Sequence, residues 1–346
     1  MTDMRSAGRG VDEIDVLLLD GLHANPRISF EKLGPVLGIS AATASRRWQR
    51  LSESGRAWVS SVPGPHLDLV GAIYEVRAVP GQIPEVAHRL ARIPQVISVY
   101  YTDGGFDLQT ILLARDMPTL GRLLSEHLPS VPGIARAQAH VGIEWYSGVH
   151  WHLGAIDALQ KQSVEDRAHS NDRTVRNRTF EPADEALFLA LQHDGRARYR
   201  DLARELGTSE HLVRRQLDSL IRRGMIGFRT DFARRQGGWS AQYVLWLSVP
   251  HNRVTQVGLE IAGWPETRIC MSTVGVANMM VMSQVHTIPD LYDVLERVRR
   301  TQSDVVVVDQ RLVLQAVKSW GRLLDSDGHA IDVVPVNPWG LLDEHE

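Results

Sequence analysis

Leu33–Gly55, LGPVLGISAATASRRWQRLSESG, is the stretch whose reading decides the fold. It reads as a helix, a tight turn at Gly38-Ile39-Ser40, and a second helix opened by Ser40 and closed near Gly55. Ser40 suits an N-cap and Gly55 a C′ position, where the chain needs a side-chain acceptor and a positive φ respectively. Ala44, Trp48 and Leu51 recur at helical spacing and form one apolar stripe, which leaves Ala42, Arg46, Gln49 and Arg50 on the far side. That far side starts small and polar, turns basic, and carries no carboxylate before Glu53. Such a rod fits a major groove about 12 Å wide, with small residues near base edges and arginines on phosphate or guanine. It equally describes an amphipathic helix pair with a solvated basic face.

The stretch occurs twice. A shift of 169 residues lays Leu33–Ser40 on Leu202–Ser209 (LARELGTS) without a gap, and lays Arg27 on Arg196, Phe30 on Tyr199, Arg46 on Arg215, Leu51 on Leu220 and Gly55 on Gly224. Repetition over such a span points to a duplicated unit.

With 346 residues, 43% of them hydrophobic and 23% charged, the chain has room for two or more globular domains. No apolar run approaches the ~18–20 residues of a membrane span. The start, MTDMRSAGRGVDEID, lacks a signal peptide's apolar core, so a cytoplasmic location is expected. A single cysteine, Cys270, excludes an internal disulfide and a cysteine-rich zinc site. The net charge of −3 is unevenly spread: six acids and no Lys or Arg lie from Asp325 onward, and the remainder is at +3. Segment 184–236 carries eleven Arg against eight Asp or Glu. Local potential, rather than total charge, governs attraction to phosphate.

In chain order, Val11–Leu22 forms a first helix with an acidic first turn, and Trp58–Val62 a short strand. Together they make a winged helix-turn-helix unit over 11–62. Pro63-Gly64-Pro65 marks a boundary. Strand-like runs at Leu69–Ala78, Val96–Thr102, Asp107–Ala114 and Ile134–Tyr146 alternate with helices at Pro84–Ile93 and Met117–Leu128. The order β-α-β-β-α-β over 66–147 is ferredoxin-like, a four-stranded sheet with both helices on one face. Residues 148–182 read as a linker, with a short helix within Ala155–Gln162 and a flexible part over Ser163–Thr179. A second winged unit (183–236) and a second β-α-β-β-α-β run (239–322) follow. A shift of 171 lays Pro94 on Pro265, Gly104 on Gly275, Pro118 on Pro289 and Leu120 on Leu291. Residues 323–346 read as an irregular acidic tail.

A winged unit joined to a ferredoxin-like domain, present twice, resembles the tandem form of the Lrp/AsnC transcription regulators. The resemblance covers nearly the whole chain. It rests on Ile14-Asp15, Leu17-Leu18, Asp194-Gly195-Arg196, the Gly-Ile-Ser and Arg-Arg signatures, and Gly104, Phe106 and Asp107. It implies an α+β fold, binding to double-stranded DNA, a small-molecule effector such as an amino acid, no cofactor, and homo-oligomers built by packing sheets. Carried over position by position, it nominates Ser40, Ala42, Thr43, Ser45, Arg46, Gln49 and Arg50 for DNA contact in unit one. In unit two it nominates Ser209, Glu210, His211, Arg214, Arg215 and Asp218. Glu210 and Asp218 bring carboxylates that repel phosphate, although Asp218 stands four residues from Arg214 and Arg222 and can pair with either. Unit one is therefore favoured for DNA contact. The implied effector residues are Gly104 and Asp107, with Gly275 and Asn278 at the second turn. Asp107 offers a charge for an ammonium group and Asn278 a neutral amide, yet either can simply cap its turn.

Other constellations carry less. His150-Trp151-His152 puts two imidazoles on one strand face with no third metal ligand nearby. Met271, Met279, Met280 and Met282 beside Cys270 read as core filler. Neither a P-loop nor a Gly-x-Ser-x-Gly elbow occurs. Siroheme decarboxylases resemble the same architecture and stand as the enzymatic alternative, but the Asn-Leu-Trp-Phe-like strand expected of them has only a weak echo in Tyr243–Leu247. The two sheets of one chain are expected to pack face to face, since each has one apolar face left uncovered by its helices.

Overall fold

The computed structural model describes residues 10–147, 153–165 and 179–340. The first half runs α1 (Glu13–Ala24), α2 (Phe30–Val36), α3 (Ala41–Glu53), β1 (Ala57–Pro63), β2 (Val70–Ala78), α4 (Ile83–Arg92), β3 (Val96–Thr102), β4 (Leu108–Ala114), α5 (Met117–Arg122), β5 (Ile134–Ser147) and α6 (Ala158–Val164). The second runs α7 (Pro182–His193), α8 (Tyr199–Glu205), α9 (Glu210–Arg222), β6 (Ile226–Phe232), β7 (Ala241–Ser248), α10 (Val254–Ala262), β8 (Thr267–Thr273), β9 (Met279–Val285), α11 (Leu291–Thr301), β10 (Val306–Ser319), β11 (Arg322–Leu324) and β12 (Ala330–Val333). α5 continues as a π-helical turn over Leu123–His127. Among the described residues no helix is long and apolar enough to cross a membrane.

Each half keeps the β-α-β-β-α-β order, but its winged unit is not self-contained. β1 pairs antiparallel with β6 of the other unit, from Ala57↔Phe232 to Pro63↔Ile226. The expectation of two units that each carry their own wing is therefore corrected: the wings are exchanged. The apolar strand residues explain the exchange. Val59 packs among Leu187, Leu191 and Leu217 of unit two, and Phe232 among Leu18, Leu22 and Leu51 of unit one, so each unit supplies part of its partner's core.

The sheets likewise join. Strands run β3-β4-β2-β5 in one half and β8-β9-β7-β10 in the other, and β5 pairs with β8 while β10 pairs with β3. Among the described residues, eight strands thus close into a barrel. Open sheets stacked face to face were expected; here the inner faces do meet, and the edges are zipped as well. β5 and β10, 14 residues each, are long enough to pair first within their own sheet and then with the other. Closure leaves fewer unpaired edges open to other chains. Alternation along the strands sorts the side chains. Ile73, Ile97, Ile111, Val244, Met271, Met280 and Met282 line the interior, while Tyr74, Val76 and Val281 sit under the outer helices. Cys270 is buried together with Met271, Met279, Met280 and Met282, as core packing predicts.

The joins are reciprocal. β5–β8 pairs Gly142↔Thr273, Glu144↔Ser272, Trp145↔Met271 and Ser147↔Cys270, with bulges between. β10–β3 pairs Val313↔Thr102, Gln315↔Tyr101, Ala316↔Tyr100 and Lys318↔Val99, which are the same pairs displaced by 171 residues. The two halves are therefore related by an approximate twofold axis.

The reading of 323–346 as an irregular tail is also corrected over 323–340, the part that lies within the described residues. Asp325 Oδ1 accepts from the Asp327 and His329 N–H groups and turns the chain into β12, whose Ala330 N–H donates to the Gly55 carbonyl. Gly55 (φ +67°) is thus needed twice, because a Cβ there would lie 2.3 Å from the Ala330 oxygen. Farther on, Gln192 Oε1 accepts from Val336 N and its Nε2 donates to the Val336 carbonyl, while Trp339 stacks 4.6 Å from Phe180. Segment 153–165 docks on unit one in the same way. Asp20 accepts from the N–H groups of Leu153, Ala155 and Ile156, and α6 covers α1 and α2. Residues 166–178, most of the expected flexible linker, lie outside the described residues, as does His150-Trp151-His152.

Candidate nucleic-acid interface and effector turns

α3 starts where expected. Ser40 Oγ accepts from the Thr43 N–H at 3.1 Å and contacts Thr43 Oγ1, while Ala44 and Leu51 are fully buried. Ser40, Ala42, Ser45, Arg46 and Gln49 are exposed, and Thr43 is half-buried. Arg46 donates to Thr43 Oγ1 at 3.3 Å, and Gln49 donates to Glu53 at 2.7 Å. The basic face is narrower than its sequence suggests. Arg47 lies 2.8 Å from both Asp12 and Asp15, and Arg50 ion-pairs with Asp15 on α1. Hydrogen bonds to Asp12 and Asp15 hold the Arg47 guanidinium above its ordinary pKa. These arginines fasten α3 to α1, and Arg50 is only in part available to a ligand. Arg46 remains outward.

α9 repeats the frame and changes the surface. Ser209 Oγ accepts from Leu212 N at 3.3 Å, and Val213, Leu217 and Leu220 are buried. Ser209, Glu210, His211, Arg214 and Arg215 are exposed, with Asp218 half-buried. Arg214 lies 4.9 Å over the Tyr199 ring, and no ion pair joins Asp218 to Arg214 or Arg222 among the described residues. Leu212, 43% exposed on this outer face, escaped the sequence reading. Its signal was an apolar residue at the position where unit one has Thr43.

Two arginines hold the helical units together. Arg27 donates to the Gly195 and Ala197 carbonyls and lies 5.4 Å over the Tyr199 and Phe228 rings. Its mate Arg196 donates to the Pro26 and Ile28 carbonyls and lies 4.6 Å over Phe30. Burial, with Arg27 nearby, pushes Arg196 down to about 10. The repeat alignment had paired Arg27 with Arg196 but held no clue that they cross over.

At the barrel turns the nominated side chains are engaged. Asp107 Oδ2 accepts from Ala78 N at 2.9 Å, and Asn278 makes two bonds of 2.8 Å to the Val249 backbone. Neither caps its own turn: each instead fastens it to backbone 29 residues earlier in the chain. Their surroundings differ: Arg77 donates to the Gly104 and Gly105 carbonyls, and Phe106 lies between Arg136 and Arg311 at 5.7 and 5.4 Å. The turn at Gly275 presents apolar side chains instead, with Val274 and Val276 exposed.

Between the paired wings and the barrel lies a cavity of about 90 Å³, bordered by Trp58, Asp231, Arg234, Trp239, Gln242 and Gln284. Asp231 there ion-pairs with Arg229, Arg234 and Arg268. Burial alone would raise its carboxyl, but Arg234, Arg229 and Arg268 outweigh that and hold it well below the usual carboxylate range.

Comparison with known proteins agrees with this geometry. The AsnC-type helix-turn-helix domain profile matches residues 11–52, the Lrp/AsnC ligand binding domain profile residues 71–147, and a winged helix-turn-helix DNA-binding profile residues 181–226. The HTH-type transcriptional regulator Ptr1 of Methanocaldococcus jannaschii is 31% identical over 121 residues, 34% of this chain and 82% of Ptr1. The chain belongs to the Lrp/AsnC family. LysM of Saccharolobus solfataricus, also an HTH-type transcriptional regulator, is 28% identical over 36% of this chain and 87% of its own. Each relative thus matches about a third of this Lrp/AsnC protein. The siroheme decarboxylase NirDL matches across both halves, covering 89% of this chain and 93% of its own, with a TM-score of 0.56 and 15% identity. That likeness is one of fold alone.

Proposed function

We propose that this Lrp/AsnC chain is a one-component transcription regulator that binds double-stranded DNA through α3 and α9 and takes a small-molecule effector, such as an amino acid, on its barrel. The observation that carries this is the outward placement of Arg46 and Arg215 on two rods seated on one frame. Had those side chains been turned into the protein, no groove-reading surface would remain. Ser40, Ala42, Thr43, Ser45, Gln49 and part of Arg50 complete the surface of unit one, and Ser209, His211 and Arg214 that of unit two. The effector reading centres on Gly104 and Gly275 rather than on the occupied side chains of Asp107 and Asn278. Of the two turns, the arginine-lined one at Gly104–Phe106 suits a carboxylate better.

In this reading the chain consists of winged units over 11–62 and 183–236, ferredoxin-like halves over 66–147 and 239–322, a linker over 148–182 and a C-terminal segment over 323–346, of which 153–165 and 323–340 dock back on the winged units. The shared register of the joins supports duplication of one ancestral module. Further association into homo-oligomers and a cytoplasmic location belong to the same proposal. Gel shift on the gene's own upstream region tests DNA binding: wild type retards the fragment, Arg46→Ala with Arg215→Ala does not, and an unchanged shift removes both helices from the interface. We read the chain as a regulator rather than an enzyme because its curated relatives carry regulator names at about twice NirDL's identity. The visible bands of added siroheme are expected to be unshifted by the protein, and a shift would support the enzymatic alternative.

A further inference from the structure

The geometry points to a bipartite operator of two unlike half-sites in inverted orientation, both read by a single chain. The inference rests on the DNA-binding reading and adds the form of the site. Its basis is the register of the paired wings. β1 and β6 are centred on Ser60↔Arg229, two positions 169 residues apart and so equivalent in the repeat. An antiparallel pair centred on equivalent positions has a local twofold axis through that centre. α3 and α9, attached at equivalent places, are mates across it. The reciprocal Arg27 and Arg196 contacts obey the same axis and fix the two units against each other. Twofold-related recognition helices meet half-sites that run in opposite senses.

A symmetric dimer presents one reading face twice and selects a palindrome. Here the frame is shared and the face is not. Ser40/Ser209, Ala44/Val213, Leu51/Leu220 and Gly55/Gly224 keep the same roles in both units. Outward, the mates are Ala42/His211, Thr43/Leu212, Ser45/Arg214, Arg46/Arg215 and Gln49/Asp218. Only the Arg46/Arg215 pair is the same residue, so both half-sites share one arginine-read base, with guanine the base that arginine grips in bidentate fashion. The other positions diverge. A glutamine such as Gln49 matches adenine, whereas Asp218 accepts from a cytosine amino group and rejects a neighbouring phosphate. Leu212 offers apolar contact to a thymine methyl where Thr43 offers a hydroxyl.

Selection of bound duplexes from a random pool by the full-length wild-type chain tests this directly. The expected product is an asymmetric motif, two different halves in opposite senses with guanine at mirrored positions. Synthetic palindromes made by doubling either half should then bind about tenfold or more weakly than the composite. Selection with Asp218→Gln should alter one half of the motif and leave the other unchanged. A palindromic consensus, a motif with one half only, or doubled halves that bind as well as the composite would overturn the inference while leaving DNA binding intact. No enrichment of any duplex would sink the DNA-binding reading itself.

Discussion

Val62 and Asp231 are mates across the twofold axis, yet they meet opposite surroundings. Val62 joins Ile97 and Leu113 in an apolar cluster at one end of the barrel. Asp231 faces their counterparts, Arg268 and Gln284, and gathers Arg229, Arg234 and Arg268 around one carboxylate. The same backbone frame therefore accepts a dry packing on one side and an ionic network on the other, provided that each is complete. A buried ion cluster adds little over well-packed apolar groups, but removing one member leaves charges stranded. The recognition helices teach the same lesson at the surface, where a common frame carries two unlike faces.

The largest effect should come from breaking the ionic end. Asp231→Asn removes the one carboxylate that Arg229, Arg234 and Arg268 share and should cost about 3–5 kcal/mol in denaturant or thermal unfolding. A loss below about 1 kcal/mol would mean that the network is no more demanding than the apolar end. Next comes the reading face. Arg46→Ala should weaken binding to the selected duplex by about 1–3 kcal/mol if it reads a base, or flatten the salt slope by ~1 if it meets phosphate alone. Arg215→Ala, flanked by Glu210 and Asp218, should lose less. Equal losses from the two, measured by fluorescence anisotropy, would erase the distinction between the units.

A subtler contrast is that of Lys318 with its mate Ser147. Burial, with Arg92 nearby, pushes the Lys318 amine from 10.5 to about 7. Because the folded value is depressed, folding expels a proton, and stability rises as pH climbs from about 7 toward the unfolded value. Between pH 7 and 9 the gain should be on the order of 2 kcal/mol. Lys318→Met should flatten that rise, whereas Ser147→Ala should leave it in place; a rise that persists in Lys318→Met assigns it elsewhere. The smallest effect concerns the turns. Asn278→Ala removes two buried bonds and should cost about 1–2 kcal/mol, more than Asp107→Ala, whose side chain makes a single backbone bond. Thermal unfolding of the two variants ranks them, and the reverse order would make Asp107 the more important fastening.

Much of this was legible in the residues. β3 falls on Val96–Thr102 as read, and Ser40, Ser209, Gly55 and Gly224 sit at the helix ends where local chemistry puts them. Arg46 and Arg215 point outward because Ala44 and Leu51, or Val213 and Leu220, must point inward. What was missed lies between segments distant in sequence. Arg50 looked free because its partner Asp15 is 35 residues away. Asp107 and Asn278 looked like ligands because the N–H groups they cap belong to strands 29 residues earlier. The acidic end of the chain looked irregular because its order comes from docking on Gly55 and Gln192 rather than from its own periodicity.

By itself the sequence determined the elements, their repetition at 169 and 171 residues, and the two faces of each recognition helix. Those follow from the alternation of apolar and polar side chains and from caps only a few residues apart. Only the tertiary structure decided that the wings cross over, that the two sheets close into one barrel, and which arginines are consumed in holding the halves together. A strand's pattern states that it needs a neighbour on each edge and cover on each face. Which of two equivalent neighbours it takes is settled by loop reach, strand length and packing across the whole chain.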